Sequence, residues 1–235
     1  MNWKYTAIML AAVATGVILA RRTQRQLPLS RVQRWGIALG AFCGAMLGAK
    51  LPFVLGDWEG LASGAAWFAD GKTILLGLAG GYLGVEVAKW ALDVRIKTGD
   101  TFAVPVAAAV AIGRLACFSA GCCYGTHTSL PWAVDWGDGP RHPTQLYEFA
   151  FHATAAVVLA SLLRRGMFRG QLIKLYIISY AAYRFVSEFV RPEPVVWGGL
   201  TAYQWGALAL VVVFAGLWRH DARMQTARGV TLTST

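Results

Sequence analysis

Of the 235 residues, 56% are apolar and only 14% charged, whereas a soluble globular domain carries charge on roughly 25% of its residues. With a mean hydropathy of +0.47 this balance excludes a disordered chain, which lacks the apolar surface to fold, and four cysteines in this length exclude a disulfide-dense secreted module. A polytopic membrane protein remains, and the formal charge of +10, which on a soluble protein would suggest a nucleic-acid surface, has to be judged by where the charges fall.

Apolar stretches near the ~20 residues needed to cross about 30 Å of hydrocarbon predict seven spanning helices, at approximately 3–20, 35–56, 74–92, 101–120, 145–163, 171–190 and 198–218. The first reads as a retained helix and not as a cleaved signal. Only five apolar residues, Ala7 to Ala11, precede the cleavage-like Ala12-Val13-Ala14, and Arg21 and Arg22 follow the run, whereas a signal carries its charges ahead of it. Thirteen Lys and Arg fall in the first, third and fifth connections and the tail, four fall on the opposite side, and five lie inside spans. Because cytoplasmic loops carry the basic excess, the amino terminus is expected outside and the carboxyl terminus in the cytoplasm. The basic stretch 21–34 then orients the chain and implies no nucleic acid. The fold expected is all-α: one seven-helix transmembrane domain over 1–220, followed by a short, frayed, polar cytoplasmic tail over 221–235. The longest outer connection, 121–144, is broken by Gly121, Gly125, Pro131, Gly137, Gly139, Pro140 and Pro143 and is not expected to be helical throughout.

An ionisable group at the centre of a span costs about 3 kcal/mol unless it is paired or solvated, and so marks a candidate functional position. Lys50 lies on the outer half of the second span. The third carries Gly80-Gly81-Tyr82-Leu83-Gly84, whose glycines permit close approach of a helix or of a substrate, and then Glu86 and Lys89, three apart, which read as a structural pair. The fourth ends in Gly113-Arg114-Leu115-Ala116-Cys117-Phe118, followed by Ser119-Ala120-Gly121-Cys122-Cys123-Tyr124-Gly125. The fifth opens at His142-Pro143-Thr144-Gln145-Leu146-Tyr147-Glu148. There Gln145, Glu148 and His152 share a face, and Pro143 suits a first turn. On the sixth, Tyr176, Tyr180, Arg184, Glu188 and Arg191 form one stripe by helical steps of three and four.

The plain reading of these charges is a set of ion pairs, Arg184 with Glu188 and Arg114 with Glu148. Yet Lys50, Arg114, Arg184 and Arg191 outnumber Glu148 and Glu188 four to two in the outer half. The positive surplus points to an anion, and at that depth to a lipid phosphate, which the planar fork of arginine recognises. Cys43 reads as a small apolar residue in mid-span. Cys117, Cys122 and Cys123 fall together at the outer face, where a disulfide, free half-buried thiols, a catalytic thiol, or a metal site completed by His127 or His142 are all open; their spacing matches no usual zinc pattern.

These segments resemble the signatures of the prolipoprotein diacylglyceryl transferase family: Gly113-Arg114 through Phe118, His142 through Glu148, and Tyr183-Arg184-Phe185-Val186-Ser187-Glu188-Phe189-Val190-Arg191-Pro192. The similarity runs in order from about 35 to 218, with Gly80-Gly81 and Gln204 as weaker matches. It implies a seven-helix enzyme of the bacterial cytoplasmic (inner) membrane, its active site on the outer, periplasmic side. Such an enzyme moves a diacylglyceryl group from phosphatidylglycerol to the lipobox cysteine thiol of an exported preprotein. The resemblance assigns functional roles to Arg114, Arg184, Glu188, Tyr180 and Gly125. Three positions depart from the pattern: Ala79 stands where the family carries a histidine, Cys117 where it carries an asparagine and Cys122 where it carries a glutamate.

The arrangement expected holds a phosphate between Arg114 and Arg184, assisted by Lys50 or Arg191, with His142 or Glu148 as the base for the thiol proton. Glu188 and Tyr180 complete the catalytic set, and Gly80, Gly81, Gly125 and Gln145 the substrate-binding one. Expected partners are an anionic phospholipid, a lipobox-bearing preprotein and the membrane. No nucleic acid, cofactor or metal is expected. A relative using another acceptor, or a non-catalytic lipid-binding membrane protein, are the alternatives.

Overall fold

The structure is a computed structural model describing residues 3–67 and 71–233, with side chains except that of Trp58 and those beyond Met224. Its helices are α1 (Trp3–Gln24), α2 (Arg31–Gly56), α3 (Trp58–Ser63), α4 (Ile74–Ala91), α5 (Asp100–Ala120), α6 (Thr144–Arg164), α7 (Leu172–Ser187) and α8 (Ala202–Thr233). Two small antiparallel hairpins, β1 (Val134–Asp135) with β2 (Pro140–Arg141) and β3 (Val195–Trp197) with β4 (Leu200–Thr201), occupy the connections before α6 and α8.

Among the described residues, six helices are long and apolar enough to cross a membrane: α1, α2, α4, α5, α6 and the Ala202–Met224 part of α8. The stretch 171–190 holds the 16-residue α7 and then a 3-10 turn, Glu188–Val190, so its helix is about 24 Å long. Beyond 220, where a frayed tail is expected, α8 runs on to Thr233. Ala222, Arg223, Met224 and Gln225 are all strong helix formers. Large apolar side chains such as Trp90, Val157, Val186 and Val212 point outward, 84%, 71%, 67% and 72% exposed, as a hydrocarbon solvent allows.

The chain divides into two compact units, Gln26–Lys97 and Met1–Arg25 with Thr98–Thr235. In the first, α2 begins at a capping box: Gln33 N–H donates to Ser30 Oγ at 3.2 Å and Ser30 N–H to Gln33 Oε1 at 3.0 Å, satisfying two otherwise orphaned donors. The helices α2 and α4 then meet backbone to backbone through Gly40, Gly44 and Gly48 on one and Gly80 and Gly84 on the other. A Cβ on Gly44 would lie 2.9 Å from Gly84 Cα, and one on Gly48 3.0 Å from Gly80 Cα. Small residues four apart are what let two membrane helices approach this closely. Lys50 is buried on α2, and on α4 Lys89 Nζ lies 3.0 Å from Glu86 Oε1.

In the second unit, α1 and α6 pack on α5, and α8 packs on α7. Asp100, in the first turn of α5, accepts from Gly170 N–H at 2.5 Å and Leu172 N–H at 2.9 Å, so one helix start caps another. Near it, buried Lys174 donates to Gln171 Oε1 at 2.9 Å and pairs with Asp221. The remaining charge of this unit's interior is collected at the opposite helix ends.

Candidate active site

Three helix ends converge on one cluster. Arg114 lies six residues before the end of α5, Glu148 in the second turn of α6, Arg184 in the last turn of α7, and Glu188 and Arg191 just beyond it. Arginine near a helix C-terminus is favoured by the dipole. Glu148 is the shared counter-charge: Arg191 Nη2 lies 2.6 Å from its Oε1, Arg114 Nε 2.7 Å from its Oε2, and Arg184 Nη1 3.9 Å from Oε1. Arg184 Nη2 takes Glu188 Oε2 at 2.7 Å. All five side chains are nearly excluded from solvent. The two ion pairs anticipated from spacing therefore form, and a third arginine joins them.

Three guanidiniums face two carboxylates, and their donors are not used up. Arg114 Nε and Nη2, Arg184 Nη1 and Arg191 Nε are buried with no hydrogen-bond acceptor among the described residues; the Arg114 Nε contact to Glu148 is ionic, off the hydrogen-bond line. Glu148 Oε2 and Glu188 Oε2 are likewise buried without a hydrogen-bond donor among the described residues, each 2.7 Å from a guanidinium nitrogen. The excess of one positive charge, with Arg114 Nη2 and Arg191 Nε left over, makes the arrangement complementary to an additional oxyanion.

The start of α8 secures the far side. Thr201 Oγ1 donates to Glu188 Oε1 at 2.8 Å and accepts Gln204 N–H at 3.2 Å, while Thr201 N–H donates to Gln204 Oε1 at 2.9 Å. This is a capping box whose hydroxyl also orients a site carboxylate. Gln204 Nε2 reaches Phe185 O at 3.3 Å, and the Tyr203 ring lies 4.9 Å from Arg184 Cζ, a cation–π distance. Thr201 and Tyr203 are absent from the residues singled out by sequence; the Thr-Ala-Tyr-Gln capping signature before an apolar run was the available signal.

The connection between α5 and α6 closes over the helix ends. Gly125 N–H donates to His142 O at 2.8 Å, His142 N–H to Thr126 O at 3.0 Å, and Thr126 N–H to Val190 O at 2.9 Å. A Cβ on Gly125 would come 2.8 Å from His142 Cβ and 2.9 Å from Thr144 Cγ2, so this position has no room for a side chain. His142 Nδ1 lies 3.3 Å from Tyr147 Oη, which accepts Trp132 Nε1–H at 2.7 Å. Arg141 pairs with Asp138 at 2.7 Å and donates to Gly125 O at 3.2 Å; its hydrogen bonds hold the Asp138 carboxyl below the usual range.

Buried Gln145 donates through Nε2 to Cys122 O at 2.6 Å, and Thr144 Oγ1 to Cys123 O at 2.7 Å. Their grip draws Cys117, Cys122 and Cys123 together, the three sulfurs all within 4.8 Å of one another. Hydrogen bonds from Cys117 and Cys122, with the charges of Arg114 and Arg191, pull the Cys123 thiol well below its ordinary range, while hydrogen bonds to Cys117 and Cys123 push Cys122 up. None of the four cysteines takes part in a disulfide.

One turn before Arg184 on α7, the buried Tyr180 ring lies 4.7 Å from that of His152, whose Nδ1 is 2.8 Å from Tyr176 Oη. Beside them a groove of about 570 Å³ runs between α6 and α7 from Tyr147 and Tyr183 to Leu159 and Leu175, with Phe151 and Val158 along it. The structure thus brings Arg114, Glu148, Arg184, Glu188 and Arg191 into contact and sets His142, Gly125, Gln145 and Tyr180 around them. Lys50, Gly80 and Gly81 belong to the other unit, where Gly80 lies against Gly48 and Gly81 faces Ala45.

Comparison with known proteins gives this arrangement its lineage. Residues 2–219 match the family model described as prolipoprotein diacylglyceryl transferase. Among relatives named phosphatidylglycerol–prolipoprotein diacylglyceryl transferase, that of Clostridium tetani is 30% identical over 204 residues, covering 81% of each chain. That of Nitratidesulfovibrio vulgaris is 33% identical over 196 residues, covering 78% of this chain and 72% of its own. That of Pseudomonas aeruginosa is 29% identical over 250 residues, covering 97% and 93%. The chain, carrying its buried arginine cluster at the helix ends, belongs to the prolipoprotein diacylglyceryl transferase family.

Proposed function

We propose that this chain is a membrane transferase that moves a diacylglyceryl group from phosphatidylglycerol to the lipobox cysteine thiol of an exported prolipoprotein. The observation that carries the donor half is the cluster of three buried guanidiniums on two carboxylates, with donors of Arg114, Arg184 and Arg191 left without a hydrogen-bond acceptor among the described residues, and an apolar groove of about 570 Å³ whose lining includes Tyr147 and Tyr183, the chain neighbours of Glu148 and Arg184. A phospholipid offers a phosphate to the first and an acyl chain to the second. The relatives' names supply the acceptor half.

In this reading the phosphate sits between Arg114 and Arg184 with Arg191 assisting. The acceptor sulfur attacks the glycerol carbon that bears the phosphate ester, a C–S bond forms, the C–O bond breaks, and glycerol phosphate departs with its charge held by the arginines. Glu148 and Glu188 hold the guanidiniums in place between turnovers, Tyr180 closes the inner wall, and Gly125 and Gln145 shape the outer rim. His142, outside the arginine cluster, is the side chain assigned to take the thiol proton.

We place the chain in the bacterial cytoplasmic membrane as seven spans, α7 included, with the amino terminus and the arginine cluster outside and no role for nucleic acid. The test is transfer of labelled diacylglyceryl from phosphatidylglycerol to a lipobox peptide. Arg114→Ala and Arg184→Ala are each expected to lower it by about 10²-fold or more, the loss seen when one charge-stabilising donor is removed. A full-rate Arg184→Ala enzyme overturns the phosphate assignment. Wild-type protein that retains phosphatidylglycerol yet transfers nothing supports the non-catalytic lipid binder instead.

A further inference from the structure

Cys117, Cys122 and Cys123 are brought together by features no single local rule supplies. Cys117 lies in the last turn of α5. Gly121 ends that helix with φ +63°, and Cys123 repeats the left-handed conformation at φ +64°, which costs a side-chain-bearing residue about 1–2 kcal/mol. The turn is held by Thr144 and Gln145, which grip the Cys123 and Cys122 carbonyls at 2.7 and 2.6 Å. The outcome is a cluster of three thiols with every pair of sulfurs within 4.8 Å and Cys122 Sγ 3.7 Å from Cys123 Sγ.

That spacing suits a metal. With Zn–S bonds of about 2.3 Å in a tetrahedral site, ligand sulfurs stand roughly 3.8 Å apart. Three soft sulfur donors select a thiophilic d¹⁰ cation over a hard one. Charge also balances, since three thiolates around a divalent ion leave one negative charge, and Arg114 Nη1 stands 3.8 Å from Cys117 Sγ. Cys123 is exposed, so the cluster can be reached from outside, and a site with three protein ligands keeps its fourth position for an incoming group.

We propose that Cys117, Cys122 and Cys123 bind zinc as a three-thiolate site whose fourth ligand is the acceptor thiol. Coordination deprotonates a thiol outright. The peptide sulfhydryl, its acidity raised by the metal, gives its proton to the His142 base assigned above, and its sulfur, still held beside Arg114, attacks the glycerol carbon. The C–S bond forms as the C–O bond to phosphate breaks, and the thioether, a weaker ligand, leaves the metal. The zinc site stands on geometry alone; its role rests on the transferase reading above.

The experiment uses the full chain, purified in detergent under reductant on a tag without histidines. Elemental analysis is expected to find one zinc per chain. Cys117→Ser, Cys122→Ser and Cys123→Ser should each weaken zinc about tenfold or more, with Cys43→Ser unchanged and folding checked by circular dichroism. Cobalt(II) in place of zinc should show the d–d absorption of a tetrahedral thiolate site. A lipobox peptide with cysteine, but not its serine version, should strengthen the sulfur-to-cobalt charge-transfer band. Equal, substoichiometric zinc in wild type and the triple serine variant overturns the site, as does a disulfide within the trio in protein isolated without reductant. A cobalt spectrum indifferent to the cysteine peptide overturns the open fourth position. Full-rate transfer by zinc-stripped protein overturns the metal's role and leaves the transferase reading standing. Zinc and peptide bound with no transfer overturns the transferase reading and leaves the site standing.

Discussion

Glu148 meets three guanidiniums through two oxygens, and Glu188 meets one guanidinium and one hydroxyl. The first is the hub of the cluster; the second is a strut whose direction depends on Thr201. Removing the Thr201 hydroxyl strips Glu188 of a donor and Gln204 of its cap in one change. Thr201→Val is therefore expected to cost about 1–2 kcal/mol and to slow transfer, whereas Thr201→Ser keeps both bonds and stays near wild type. Thermal unfolding in detergent and the labelled-lipid assay read the two effects separately. At this scale the sequence was informative because charges in an apolar span stand out. Which oxygen each arginine takes was not legible, since Arg114, Glu148 and Arg191 lie on separate elements and only their packing sets the distances.

Among the elements, glycine decides how closely chains approach. At Gly125 the α5–α6 connection passes within side-chain distance of His142 and Thr144. Gly125→Ala must push the connection off the start of α6, at about 1–3 kcal/mol of overpacking, and is expected to reduce transfer sharply while the helices, followed by circular dichroism, persist. On α2, Gly44→Leu places a branched side chain where Gly84 Cα already lies 2.9 Å from a Cβ, so α2 and α4 should separate and the protein unfold in milder detergent. Gly56→Ala, with nothing within 4 Å among the described residues, serves as the silent comparison. The windows read for spans coincide with α1, α2, α4, α5, α6 and α8. The stretch 171–190 yields a shorter helix because Phe168 and Gly170 take left-handed turns before it and Glu188 begins a 3-10 turn after it. Hydropathy registers none of these backbone events.

For the whole molecule, the distribution of Lys and Arg makes orientation a testable matter. Alkaline phosphatase joined after Ser129 is expected to be active outside the cell and inactive when joined after Arg165, and a fluorescent reporter at the carboxyl end should fold in the cytoplasm. The reverse pattern would set the arginine cluster on the wrong side for an exported substrate.

By itself the sequence determined that this is a membrane protein and which charged side chains within its spans stand out as candidates for a site. Low charge and long apolar runs admit no other solvent, and each ionisable group kept within them is expensive enough to mark itself. Only the tertiary structure decided the partners: Glu148 shared by three arginines, Thr201 turned onto Glu188, α2 and α4 joined along their glycines, and three cysteines gathered by a left-handed turn. Each of these depends on the close approach of segments far apart in the chain, and composition and periodicity report only on neighbours along it.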